Sequence, residues 1–197
     1  MYWPRAETLF VADTHWGKDA TFRAAAIAVP GGTLRDDLDR LGAIIMRTGA
    51  RRLIVLGDLL HAKKGRAPGT LDAIKAWRAC HTDLDVLLVR GNHDQGAGDP
   101  PDEWGFQCVD APYLLAPFVL QHEPQPATEG YTLAGHIHPA VNLSGAGRQS
   151  VRLPCFWFGR RVGVLPAFGS FTGCAAIKAC QGDKVFVVAE GEVIRMS

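Results

Sequence analysis

Runs of consecutive apolar residues alternate with stretches of helical periodicity through the first 95 positions. Residues 8–12 (TLFVA), 52–56 (RLIVL) and 85–89 (DVLLV) read as buried strands. Between them, residues 33–49 place Leu34, Leu38, Leu41 and Ile45 at helical spacing. Thr33 with Asp36 three residues on reads as a capping pair, and Gly49 as the stop. Residues 70–80 repeat the pattern, with Thr70 as the cap and Leu71, Ile74 and Trp77 on one face. Strand, helix, strand in this order is the signature of an α/β unit.

The second half changes character. Proline and glycine become denser and the apolar runs shorten to YLLAPFVLQ, GYTLAG, SVRLPCFWFG, RVGVLPAF and KVFVVAEGEVI. That pattern predicts a mainly antiparallel second sheet packed on the first. Residues 94–110 form the most loop-like and acidic stretch. No internal repeat or linker divides the chain, so residues 1–197 are expected to form one domain.

Composition narrows the class without naming a function. The 197 residues are 47% hydrophobic and 21% charged, which argues against disorder or a collagenous repeat. A formal net charge of +1 removes the general inference of nucleic-acid binding from basicity, although a local patch survives such an average. Five widely spaced cysteines without a Cys-x-x-Cys pair suggest neither a disulfide framework nor a thiolate zinc knuckle, and a reduced setting fits them. The amino-terminal residues lack a signal-peptide layout, so a cytoplasmic location is expected. The seven histidines stand out.

Six of those histidines sit where apolar runs end. TLFVA is followed by Asp13-Thr14-His15, RLIVL by Gly57-Asp58-Leu59-Leu60-His61, and DVLLV-Arg90 by Gly91-Asn92-His93-Asp94. GYTLA is followed by Gly135-His136-Ile137-His138, and FVL by Gln121-His122. Ligands at the carboxyl ends of neighbouring strands converge on one sheet edge, where open α/β folds place their sites. Residues i and i+2 of an extended segment point the same way and can address one metal ion or two adjacent ones. The glycines allow a sharp turn and close approach to an anion. Carboxylate, imidazole and amide oxygen together favour manganese, iron or zinc over calcium. Singly, each motif is often no more than a turn; the ordered set carries the weight.

In that order the motifs resemble the calcineurin-like metallophosphoesterase superfamily, over residues 9–139. More narrowly, DTHWGKDATFRAAAIAVPGGT, GARRLIVLGDLLH, GYTLAGHIHPAV and RLPCFWF with LPAFGSFTG resemble the small bacterial family of ligase-associated DNA damage response endonucleases (PdeM). The resemblance implies an α/β fold, a two-sheet αββα sandwich of the metallophosphoesterase type. It implies a centre of two divalent ions, manganese foremost with iron or zinc as alternatives. Asp13, His15 and His138 would hold one ion, Asn92, His122 and His136 the other, and Asp58 would bridge them. His93 would contact the scissile phosphate and protonate the leaving oxygen, with Asp94 orienting it. The implied activity is a two-metal-dependent phosphodiesterase cutting DNA, single-stranded or flexible, as an endonuclease in repair, with a ligase, helicase or exonuclease as partner.

Substrate contacts are thinner in the sequence. Lys18 follows the first motif and Lys63, Lys64 and Arg66 follow the second, placing a basic run beside the expected site, with His61 as a phosphate contact or a support for Asp58. Arg148, Arg152, Arg160 and Arg161 form a second basic group, whereas residues 91–147 hold no lysine or arginine. Phe156, Trp157, Phe158, Phe168 and Phe171 could stack on bases, with core packing as the plainer role. His81 reads as a helix C-terminal partner and the cysteines as small core residues. Two other functions stay open: a phosphohydrolase of a cyclic nucleotide, nucleotide pyrophosphate or phosphomonoester, and a metal-bound interaction module without catalysis.

Overall fold

The three uninterrupted apolar runs owe their lack of alternation to burial on both faces. They form β2 (Thr8–Val11), β3 (Arg52–Leu56) and β4 (Asp85–Val89), parallel neighbours in one sheet. Leu9, Val11, Leu53, Val55, Val86 and Leu88 face two helices, α2 (Thr33–Thr48) and α3 (Pro68–Ala79). The intervening Phe10, Ile54, Leu56, Leu87 and Val89 face a second sheet through Leu120, Leu133 and Leu165. The period-2 geometry of a strand thus feeds two cores from one apolar run.

The computed structural model describes residues 1–29, 31–145 and 149–196. Short β1 (Tyr2–Trp3) closes one edge of the first sheet antiparallel to β2, and β5 (Phe106–Val109) closes the other parallel to β4. The second sheet holds β6 (Tyr113–Leu115), β7 (Phe118–Leu120), β8 (Tyr131–Ala134), β9 (Pro139–Ser144), β10 (Ser150–Phe158), β11 (Val162–Val164) and β12 (Ala175–Ala176). To these, β13 (Lys184–Ala189) adds through β10, and β14 (Glu192–Arg195) through β13. The result is a two-sheet α/β sandwich. Its four α-helices, with α1 (Lys18–Ala24) and α4 (Asn92–Ala97), all precede residue 98, so among the described residues no helix covers the outer face of the second sheet. Most pairings in that sheet are antiparallel, but β8 runs parallel to both β7 and β11.

Three local expectations need correction. Gly32, in the left-handed region at φ 91°, precedes α2 without any side-chain cap, so Thr33 is its first helical residue and forms no capping pair. Pro68 opens α3 two residues ahead of Thr70; its fixed φ and missing N–H suit the first helical position. The acidic stretch 94–110 is largely structured, contributing most of α4, a 3-10 turn at Asp102–Trp104 and β5, with Trp104 fully inside the core. Gly49 ends α2 as expected, at φ 67° with its N–H on the Ile45 carbonyl. His81 also behaves as expected, its Nδ1 donating to the Trp77 carbonyl at 2.7 Å at the end of α3. All five cysteines are free; Cys155 is a core residue, but Cys80 and Cys180 are exposed.

Candidate metal centre

Parallel pairing delivers the ends of β2, β3 and β4 to one edge, and backbone bonds then zip the loops together. The Asp13 N–H donates to the Gly57 carbonyl at 3.1 Å and the His15 N–H to the Asp58 carbonyl at 2.9 Å. From the second sheet, the His136 N–H donates to both carboxylate oxygens of Asp13, at 3.2 and 3.0 Å. Asp13, His15, Asp58, His136 and His138 all have positive φ, between 44° and 72°, a region that non-glycine residues seldom occupy. Strain of this kind, held by the surrounding loops, collects at functional sites.

Asp58 occupies the middle. Its Oδ1 lies 3.4 Å from His122 Nε2, and its Oδ2 lies 3.7 Å from His15 Nε2 and 3.9 Å from His93 Nε2. On one side, His138 Nε2 stands 3.3 Å from Asp13 Oδ1, and Asp13, His15 and His138 can present one atom each within a 4.8 Å span. On the other, His122 Nε2 is 3.0 Å from Asn92 Oδ1 and 3.0 Å from His136 Nδ1. The seven residues expected as ligands are therefore all brought to one place, in two groups flanking Asp58. Asp13, Asp58, His15 and His122 are buried, whereas the His93 side chain is 36% exposed.

The donor set fits divalent cations. The His122 Nδ1 proton goes to the Leu56 carbonyl at 3.0 Å, and that of His138 Nδ1 to the Gly173 carbonyl at 3.0 Å, leaving a lone pair on each Nε2 of the neutral rings. Those lone pairs face a carboxamide oxygen, carboxylates and other imidazoles, and His138 Nε2 is buried without a hydrogen-bond partner. An unpartnered buried acceptor such as His138 Nε2, set among carboxylates and imidazoles, is satisfied by a cation, and ring nitrogens fixed by carbonyls are the usual outer support of metal-ligating histidines. Without metal, burial pushes His15 down to about 3, with Asp58 opposing that shift. Burial also works against the charges of Asp58 and His122, but their mutual contact outweighs it. Asp58 is held below the usual carboxylate range and His122 is raised to about 9.

Glycines before the candidate ligands make room for the clustered side chains as well as turning the chain. A Cβ on Gly57 would stand 2.2 Å from His122 Nδ1, and one on Gly91 would stand 2.4 Å from Asp58 Oδ1.

Asp94 has a different task from the expected one. Its carboxylate accepts the N–H groups of Asp58 (2.8 Å), Leu59 (3.0 Å) and Gly91 (2.9 Å), locking two motif loops together. The His93 ring is instead oriented by the His61 carbonyl, which accepts from Nδ1 at 2.6 Å and leaves Nε2 turned to the site. The ring of His61 stacks on His93 with centroids 5.0 Å apart, and its Nδ1 lies 3.3 Å from His15 Nδ1. Were His15 to ligate a metal through Nε2, its Nδ1 would carry the proton, His61 Nδ1 would accept it, and the remaining His61 proton would sit on Nε2. Burial, then Lys18 and His93, lower His61 to about 4, keeping it neutral.

The basic residues divide. Lys18 is half-buried, which lowers its ammonium pKa, and it lines a small cavity with His15. Lys63 and Lys64 are exposed on a 3-10 turn, but Arg66 donates to the carbonyls of Gly98 (3.2 Å) and Asp99 (2.7 Å), a tie to the end of α4. In the second group, Arg152 bonds Asn142 Oδ1 at 2.9 Å and Arg161 bonds the Ala127 carbonyl; Arg148 lies outside the described residues. Phe156 and Phe158 pack against the inter-sheet core, and Trp157 points the other way with Nε1 on Asp183. Sequence reading missed the carbonyls of Leu56, His61 and Gly173, since backbone acceptors carry no residue signature. It also missed Asp37, a buried carboxylate that accepts the Ser170 N–H and clamps the segment beyond β11.

Comparison with solved structures gives a match over nearly the whole chain. A nuclease from Pseudomonas putida, MPE, superposes with a TM-score of 0.86 at 43% identity, covering 99% of this chain and 90% of that one. The chain belongs to the metallophosphoesterase family of that nuclease. This metallophosphoesterase is accordingly a hydrolase of phosphate esters. Yfce, a phosphoesterase from E. coli, matches at 15% identity over 93% of this chain and 88% of its own, with a TM-score of 0.44. AQ665 of Aquifex aeolicus, described as a protein of unknown function, matches at 19% over 66% and 78%, with a TM-score of 0.45. No family model and no curated protein matches the chain. No helix among the described residues is long and apolar enough to cross a membrane.

Proposed function

We propose that this metallophosphoesterase is a phosphodiesterase with two divalent ions, manganese foremost, that cuts within single-stranded or flexible DNA. The observation that carries the reading is the convergence of six ligand-type residues in two groups around Asp58, with the partly exposed His93 beside them. The nuclease activity named for the Pseudomonas putida relative supports a nucleic-acid substrate. Asp13, His15 and His138 would hold one ion, Asn92, His122 and His136 the other, with Asp58 shared. Such ions, when bound, lower the pKa of a bound water and neutralise phosphate oxygens.

The chain's own groups do the rest. His93, fixed through Nδ1 on the His61 carbonyl, holds a proton at Nε2 and gives it to the departing oxygen; solvent at its exposed face restores it. His61 Nε2–H and the Lys18 ammonium contact the phosphate, and Lys63 and Lys64 bear on the flanking strand. Asp94 keeps the loops of Asp58 and His93 in register. A setting in DNA repair, in the cytoplasm and beside a ligase, helicase or exonuclease, is proposed on the resemblance alone.

The deciding assay sets the protein with manganese against circular single-stranded DNA, linear duplex, a 2′,3′-cyclic nucleotide and a phosphomonoester. Linearisation of the circle, abolished by a chelator, is expected. An intact circle alongside turnover of either small substrate would replace DNA with that substrate.

A further inference from the structure

Beside the candidate ligands Asn92 and His122 opens a cleft of about 310 Å3. Gln95, Gln121 and Gln125 line it, and Pro112 contributes an apolar residue. Gln121 Nε2 donates to the carbonyls of Glu123 (2.8 Å) and Gln125 (2.6 Å), so its Oε1 remains as an acceptor. The Gln95 and Gln125 side chains are exposed; Gln125 Nε2 gives one proton to Glu123 Oε2 at 3.3 Å and keeps its second, so each still offers a donor and an acceptor in one plane.

Charge in the cleft does not suit a second phosphate. Arg90 lies in the wall, but Asp99 grips its Nε and Nη2 at 2.7 Å each and Asp110 its Nη1 at 2.9 Å. Glu123 adds another carboxylate to the lining. The occupant must therefore be uncharged, rich in donors and acceptors, and close enough to be bonded to a phosphate held near Asn92 and His122. Small-molecule sites span roughly 300–1,000 Å3, and this cleft falls at the lower end, the size of one nucleoside and not of a strand.

We propose that the cleft receives the nucleobase of the nucleotide next to the scissile phosphate. Its hydrogen-bonding edge meets Gln95, Gln121 and Gln125, and its face meets Pro112. This rests on the phosphodiesterase reading and adds a source of strand preference to it. A base paired in a duplex has that edge occupied, whereas an unpaired base can turn out of the strand and present it.

Binding tests this without turnover. Titration calorimetry compares thymidine 5′-monophosphate with 2-deoxyribose 5-phosphate, which lacks the base, on the manganese-loaded protein and on a Gln95→Ala, Gln125→Ala double variant. The wild-type protein is expected to bind the base-bearing compound on the order of tenfold more tightly. The double variant, which keeps only Gln121 and Pro112, should lose most of that preference. Equal affinities in the wild type, or a base preference undiminished in the variant, would overturn the proposal. Hydrolysis of thymidine 5′-p-nitrophenyl phosphate, followed in parallel, tests the phosphodiesterase reading on its own. Base-selective binding without hydrolysis would keep the cleft and discard that reading.

Discussion

His93 and Asp94 are adjacent, yet their side chains serve different ends. His93 is 36% exposed and oriented through one nitrogen only, which suits the general-acid role proposed for it. His93→Gln should lower kcat by about 10²–10⁴ on an aryl phosphodiester while metal content by elemental analysis stays at the wild-type value. Unchanged kcat would remove the general acid. Asp94 is buried, and burial raises its carboxyl pKa, but three good backbone donors point at it. Asp94→Ala strands those N–H groups and should cost about 3 kcal/mol or more in urea unfolding, with Asp94→Asn recovering part of it. A loss of activity without any loss of stability would return Asp94 to an orienting role. The residues that cluster around Asp58, and their order along the chain, were legible in the sequence, because Asp, Asn and His after apolar runs are distinctive. The left-handed backbone at Asp13, His15, Asp58, His136 and His138 was not, since nothing in a residue's identity sets its φ.

At the scale of elements, legibility followed burial. The strands of the first sheet are apolar at every position because helices cover one face and the second sheet the other, so β2, β3 and β4 could be read directly. β5 could not, as its edge position leaves Gln107 exposed and Pro and Asp residues crowd the approach. The starts of α2 and α3 were misplaced because backbone geometry at Gly32 and proline chemistry at Pro68 took the work assigned to threonine hydroxyls. The turn from β3 into its ligand loop is the element most sensitive to a small change. Gly57 has φ 80°, and any Cβ there would collide with the His122 ring. Gly57→Ala should therefore weaken manganese binding in a titration, even though the variant keeps Asp58 and His122. Wild-type affinity in that variant would show that the loop yields freely.

In the molecule as a whole, two sheets bring residues as far apart as Asp13 and His138 into one cluster. The sequence showed that two different halves existed but not how their loops interlock. Proton and metal compete at this junction. The Asp58 carboxylate keeps a proton on metal-free His122 up to about pH 9, so metal must displace it at any lower pH. Apparent metal affinity should fall as pH is lowered from about 9, by up to about tenfold per unit for one displaced proton. A flat profile would mean that His122 is not a ligand. The shared position of Asp58 is tested most directly by counting ions. Titration of the metal-free protein with manganese should end at two ions per chain, and Asp58→Asn, which lies between both groups, should lose both. An end point of one ion in the wild type, or two tightly held ions in Asp58→Asn, would contradict a centre built around that carboxylate.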